Sequence, residues 1–234
     1  MDRRAFAAAF PRTVPVMLGY LALGAAFGLL MDAAGYGFLW SGLMSAAVYA
    51  GSAQFLGVDF LASLASLGSA AVMTFLLNFR HMVYGLSMLE KYRGAGLRKF
   101  YLIFSLTDET YALLSTARVP PGIPPRDFYL AVSLLDQLYW VAGSVAGGLL
   151  GAALPIDTAG ADFAMTALFL VIALGQWEDQ SRGGSHLPAL IGAGAALACL
   201  LLFGKDVVLI PALAVIVAVL LLLRPRLEGK GGAA

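Results

Sequence analysis

The sequence predicts an all-α polytopic membrane protein with about seven to eight transmembrane or re-entrant helices. Three observations carry this. Of 234 residues, 60% are hydrophobic and only 12% are charged, with a mean hydropathy of +0.84; a soluble domain carries about a quarter charged residues. Several apolar runs reach the ~17–25 residues that cross a bilayer core. Short segments of alternating polarity, the mark of a transmembrane barrel, do not occur. The net charge of +1 gives no basic footprint for nucleic acid. The single Cys199 cannot form an internal disulfide and reads as a small apolar residue.

Taken in order, Asp2 to Pro15 is a short interfacial helix or tail carrying Arg3, Arg4 and Arg12. Pro15 suits the first turn of the next helix, where its missing donor costs nothing. Segment one spans Val16 to Met31, and its Gly24-x-x-x-Gly28 pair permits close helix contact. Asp32 to Gly37 is a turn. Segment two, Phe38 to Val58, has Trp40 at an interface and an interruption near Gly51-Ser52. Segment three, Phe60 to Asn78, bends at Asn78–His81 into a short apolar piece, Met82 to Leu89. A loop from Glu90 to Lys99 carries four basic residues.

Segment four is Phe100 to Ser115. Residues 117–127 hold four of the ten prolines and form the clearest linker. Segment five is Phe128 to Leu154, segment six Phe163 to Trp177, segment seven Leu187 to Phe203 and segment eight Val207 to Leu223. A polar loop, Glu178 to Ser185, and a tight turn at Lys205-Asp206 join the later segments, and Arg224 to Ala234 is a disordered tail.

The chain reads as one transmembrane domain over 1–234, with two weakly similar halves, 14–116 and 127–224, either side of the linker. Leu76 to Val83 can be laid over Leu201 to Val208, and Trp40 to Phe55 over Phe163 to Trp177 with one gap. Duplication and the chance alignment of apolar helices both account for this. Basic residues place the N-terminus on the cytoplasmic side. Eight simple spans then put Glu90–Lys99 outside, whereas a re-entrant Met82–Leu89 moves that loop inside.

Few ionisable side chains interrupt the apolar runs: Arg80, His81, Asp108, Glu109 and Asp136. Charge within a bilayer is costly, so each is a functional candidate by default. Asn78, His81, Tyr84 and Met88 share one helical face, with Arg80 directed elsewhere. Arg80 either pairs with an acid, as a structural ion pair, or snorkels. His81 either relays protons or hydrogen-bonds between helices. Asp108 and Glu109 point roughly 100° apart on a helix, so at most one faces a cavity. Thr107 and Tyr111 flank the same space one turn apart, and Asp136, beside Gln137, joins a polar patch with Tyr139, Trp140 and Gly143. An unwound segment around Gly51-Ser52, with Gln54 just beyond it, frees carbonyls for an ammonium group. Half-helix N-termini attract carboxylates, so a zwitterion suits such a site. A small-residue packing seam explains the same residues.

The substrate-binding candidates are therefore Ser52, Gln54, Asn78, His81, Tyr84, Thr107, Asp108 and Gln137. The proton-coupling candidates are His81, Asp108, Glu109 and Asp136. No metal motif and no phosphate-binding glycine loop is present, so neither metal nor cofactor is expected. Ser185-His186 has no credible acid partner, which leaves an intramembrane hydrolase a weak alternative.

Four stretches resemble a known family. They are Ser45-Ala-Ala-Val-Tyr-Ala-Gly-Ser-Ala-Gln-Phe55, Leu77-Asn-Phe-Arg-His-Met-Val-Tyr-Gly-Leu-Ser87, Leu106-Thr-Asp-Glu-Thr-Tyr111 and Phe163-Ala-Met-Thr-Ala-Leu-Phe169, the last ending near Gln176. They are similar to AzlC, the large subunit of branched-chain amino acid exporters (azaleucine resistance proteins). The similarity covers nearly the whole chain after the first dozen residues. It implies a non-enzymatic, multi-pass permease of the bacterial cytoplasmic (inner) membrane. It also implies export of branched-chain amino acids and a small AzlD-like membrane partner. Proton coupling is expected from the buried carboxylates and the lack of a nucleotide motif. The alternative is a non-transporting membrane subunit or intramembrane enzyme whose polar residues are structural.

Overall fold

The computed structural model describes residues 2–63, 66–154, 186–204 and 208–228, with 163, 166, 170, 174 and 177. Every regular element among them is helical: α1 (Arg3–Ala33), α2 (Phe38–Ala47), α3 (Gly51–Ser63), α4 (Leu67–Met88), α5 (Arg98–Phe104), α6 (Asp108–Thr116), α7 (Pro125–Ala153), α8 (Leu187–Phe203) and α9 (Leu209–Glu228). The chain forms two compact units, Met1–Leu168 and Phe169–Ala234.

In the first unit, α1 and α7 are long and apolar enough to cross a membrane. At about 1.5 Å per residue each exceeds the ~30 Å hydrocarbon thickness. The expected N-terminal piece and segment one are a single helix, with Pro11 and Pro15 inside it. The early turns hold because one face of them is packed. Ala5, Ala9 and Thr13 are fully buried, and the Arg12 guanidinium lies 5.0 Å from the centre of the Phe128 ring. Neighbouring helices commonly accommodate proline in membrane helices.

Small residues let α1 and α7 touch backbone to backbone. A Cβ on Gly28 would lie 2.1 Å from the Ser144 carbonyl oxygen, and one on Gly147 would lie 2.0 Å from that of Ala25. Gly24 faces the Trp140 carbonyl in the same way, at 2.9 Å. The Gly24/Gly28 pair is thus half of a two-sided glycine seam, completed by Gly143 and Gly147.

Segment two divides into α2 and α3 at Val48–Ala50. Tyr49 has φ +44°, a left-handed conformation unusual for a residue with a Cβ. Its ring is nonetheless buried, so packing holds the break open. The expected bend at Asn78–His81 is not observed. α4 runs unbroken from Leu67 to Met88 and starts where the Ser66 hydroxyl accepts from the Ser69 N–H at 3.2 Å. Asn78 does not unwind the helix because its amide donates to the Thr74 carbonyl one turn back (3.0 Å). Phe60, assigned to segment three, belongs to α3. Phe75, Phe79, Met82, Val83 and Leu86 of α4 are exposed, as a lipid-facing surface requires.

Segment four is likewise two helices, α5 and α6, broken at Ser105–Thr107. Lys91 donates to the Leu114 and Ser115 carbonyls and so caps the far end of α6. Arg98 pairs with Asp127 and ties α5 to the first turn of α7. Residues 117–124 are non-helical, and α7 opens on Pro125, where a missing donor is harmless.

In the second unit α8 and α9 pack on each other, and α8 ends at Gly204 with φ +76°. Cys199 is buried and free. α9 continues to Glu228, past the expected end of segment eight, so Arg224–Glu228 is helical and not a disordered tail. Most of segment six, the loop 178–185, the turn at 205–206 and the last residues, 229–234, lie outside the described residues.

Candidate site at two helix breaks

The N-terminus of α6 organises the site. Thr107 is its N-cap, with Oγ1 accepting from the Thr110 N–H at 3.2 Å. Asp108 and Glu109 occupy the first turn, where carboxylates oppose the positive end of the helix dipole. The ring of Tyr49, in the first break, lies 6.3 Å from that of Phe104, the last residue of α5. The two interruptions therefore meet.

Asp108 points one way from this turn. Its Oδ2 lies 2.9 Å from Arg80 Nη2, and the same nitrogen donates to Ser52 Oγ on α3 at 3.0 Å. Arg80 and Tyr84, four residues apart on α4, both stand at Asp108. Arg80 is thus not on a separate face from Tyr84. Tyr84 stacks on Tyr111 with ring centres 4.4 Å apart and planes 8° apart, and His81 meets Tyr84 edge-on at 5.9 Å. Two buried polar atoms in this cluster, Arg80 Nε and Asp108 Oδ1, have no hydrogen-bond partner. Such atoms are rare in native interiors and call for a ligand or another account.

Glu109 points the other way, into the protein. Its Oε2 accepts from the Tyr20 hydroxyl of α1 at 2.7 Å. Tyr20 also contacts Thr107 Oγ1 (2.6 Å), which lies 3.0 Å from Thr110 Oγ1, and Thr110 reaches Asp136 Oδ2 of α7 at 2.8 Å. Thr107, Thr110 and Asp136 are all buried.

Two candidates from the sequence are held elsewhere. Gln54 is fully buried and donates to Ser45 Oγ at 3.0 Å, while its carbonyl accepts from Trp140 Nε1 at 2.9 Å. Ser45 in turn donates to Ser144 at 2.8 Å. Gln137 donates to the Ala46 carbonyl at the end of α2 (3.0 Å) and accepts from the Tyr101 hydroxyl (2.6 Å). Ser52, His81, Tyr84, Thr107, Asp108, Glu109 and Asp136 do gather around the α6 terminus, whereas Asn78 bonds within α4, to the Thr74 carbonyl. Tyr20 and Tyr111 complete the cluster. Tyr20 sits in an apolar run with no polar neighbour, so nothing in the sequence signalled it.

A cation and an anion stand side by side at the junction of two broken helices, with free valences on both. That suits a small molecule bearing both charges. Among the described residues no group of His, Cys, Asp and Glu could hold a metal ion.

The fold and site together define a helical membrane protein with interrupted helices around a charged centre. The chain belongs to the AzlC family: the family described as AzlC protein matches residues 15–154, which include every site residue named above. It is 42% identical to the "Branched-chain amino acid transport protein AzlC" of Bacillus subtilis over 224 residues, covering 96% of this chain and 87% of that one. It is 41% identical over 224 residues to an uncharacterized membrane protein of Haemophilus influenzae, covering 95% and 91%. It is 28% identical over 192 residues to the "Inner membrane protein YgaZ" of Escherichia coli, covering 79% and 78%. No solved structure matches the chain.

Proposed function

We propose that this chain is the transporting subunit of a secondary exporter of branched-chain amino acids, driven by protons, in the cytoplasmic membrane. Its N-terminus is cytoplasmic, and a small AzlD-like membrane protein is its partner. The observation that carries the reading is the Arg80–Asp108 pair at the junction of two helix breaks, with Arg80 Nε and Asp108 Oδ1 unpartnered. The substrate carboxylate is taken by Arg80, whose planar fork matches it. Its ammonium is taken by Asp108. The stacked Tyr84–Tyr111 rings offer an apolar wall to the branched side chain. Ser52 and His81 position Arg80 and Tyr84, and Thr107 holds the α6 terminus in place. Discontinuous helices supply this kind of binding centre in other secondary transporters. Gln54 and Gln137 hold helices together.

The test is efflux of labelled leucine from loaded proteoliposomes containing the chain and its partner, with and without an imposed pH gradient. Efflux that responds to both gradients supports the reading. Leucine flux equal to that of protein-free vesicles refutes it.

A further inference from the structure

The oxygens of Glu109, Tyr20, Thr107, Thr110 and Asp136 form an unbroken line. Its four contacts measure 2.7, 2.6, 3.0 and 2.8 Å in that order. Each contact needs one hydrogen between its oxygens. The three hydroxyls supply three hydrogens, one each. If both carboxyls are ionised, one contact is left with two lone pairs facing each other. Tyr20 then donates to Glu109 and Thr110 to Asp136, so Thr107 serves only one of its two neighbours. That leaves either Tyr20–Thr107, at 2.6 Å, or Thr107–Thr110, at 3.0 Å, without a hydrogen, although both are hydrogen-bonding distances. A fourth hydrogen closes the count, and only a carboxyl can bring it.

We propose that Glu109 and Asp136 share a single proton through Tyr20, Thr107 and Thr110, and that this line is the proton path of the exporter. With the proton on Glu109, every hydroxyl donates toward Asp136. Transfer moves the Glu109 proton to the Tyr20 oxygen, the Tyr20 hydrogen to Thr107, that of Thr107 to Thr110, and that of Thr110 to Asp136. All bonds are restored and one proton has moved from α6 to α7. Its Glu109 end adjoins Asp108, so the proton's position changes the charge beside the Arg80–Asp108 pair. The other ionisable groups facing the line are Tyr49 from the first break, Arg80 from α4, Tyr101 from α5 and Asp108 itself. Of these, Tyr49 stands beside Thr110 of the line, with its own hydroxyl unpartnered. The path assignment rests on the exporter reading, whereas the shared proton does not.

Infrared spectroscopy of the purified protein in lipid at neutral pH tests the shared proton through the carbonyl stretch of a protonated carboxyl group. One such band is expected in the native protein. It should be lost in Glu109→Gln, where the new amide donates to Tyr20, and also in Asp136→Leu, where three hydroxyls suffice for three contacts. No band in the native protein, or a band that survives either replacement, overturns the shared proton. Leucine transport tests the path. Tyr20→Phe removes the hydroxyl alone and should keep leucine counterflow while losing proton-driven movement. Thr107→Ser, which keeps both the hydroxyl and the helix cap, should retain both. Proton-driven movement that persists in Tyr20→Phe overturns the path. Absence of counterflow in the native protein overturns the exporter reading instead, and the infrared result still decides the shared proton.

Discussion

Arg80 of α4 and Asp108, the first residue of α6, form an ion pair of 2.9 Å in which each side chain keeps about a quarter of its exposure, 25% and 21%. The pair is neither a surface salt bridge, which is worth little, nor a sealed one, which is costly to break. Asp108→Asn should therefore destabilise the fold by only about 1–3 kcal/mol, between those limits. Its effect on leucine flux should be far larger than that loss of stability explains. Thermal unfolding in detergent beside flux in vesicles separates the two.

The glycine seam between α1 and α7 is the most demanding contact in the first unit. Gly28→Ala and Gly147→Ala each drive a methyl into backbone oxygen and should cost about 1–3 kcal/mol or more, whereas Gly19→Ala, with nothing within 4 Å, should not destabilise. Melting temperatures of the three variants check this.

Gln54 holds Ser45 and Trp140 at its two ends. Gln54→Leu should leave the Trp140 N–H and the Ser45 hydroxyl short of partners and cost about 1–3 kcal/mol. Apparent substrate affinity should not change. Comparing the leucine concentration dependence of flux with the melting temperature decides whether Gln54 is structural or binding.

Thr107 caps α6, and loss of such a cap typically costs about 1 kcal/mol. Thr107→Ser should keep native stability while Thr107→Ala loses that amount, read from thermal unfolding.

Much of this architecture is legible in the sequence, for identifiable reasons. Long apolar runs announce α1 and α7, and the Gly24/Gly28 spacing announces their close approach. The α2–α3 break is foreshadowed by Gly51-Ser52, although it falls just before them, at Tyr49. The α5–α6 break was equally visible as Thr107-Asp108-Glu109, a helix-start signature. The apolar residues on both sides of it make Phe100–Ser115 look like one segment. At Asn78–His81, by contrast, the polarity predicts a bend that α4 does not have. A helix tolerates those residues once Asn78 bonds back to Thr74 and Arg80 finds Asp108. Gln54 and Tyr20 exchanged roles because hydrogen-bond partners distant in sequence cannot be read from local pattern.

The central claim is that Arg80 and Asp108 receive the two charges of an amino acid. Ligand-induced thermal stabilisation of the purified protein, with its partner, tests it most directly, because binding to the native state raises the melting temperature with concentration. Leucine should stabilise the native protein. Leucinamide, which lacks the carboxylate, and 4-methylpentanoate, which lacks the ammonium, should not. Asp108→Asn should abolish the leucine effect. Equal stabilisation by all three compounds, or an undiminished leucine effect in Asp108→Asn, would contradict the account.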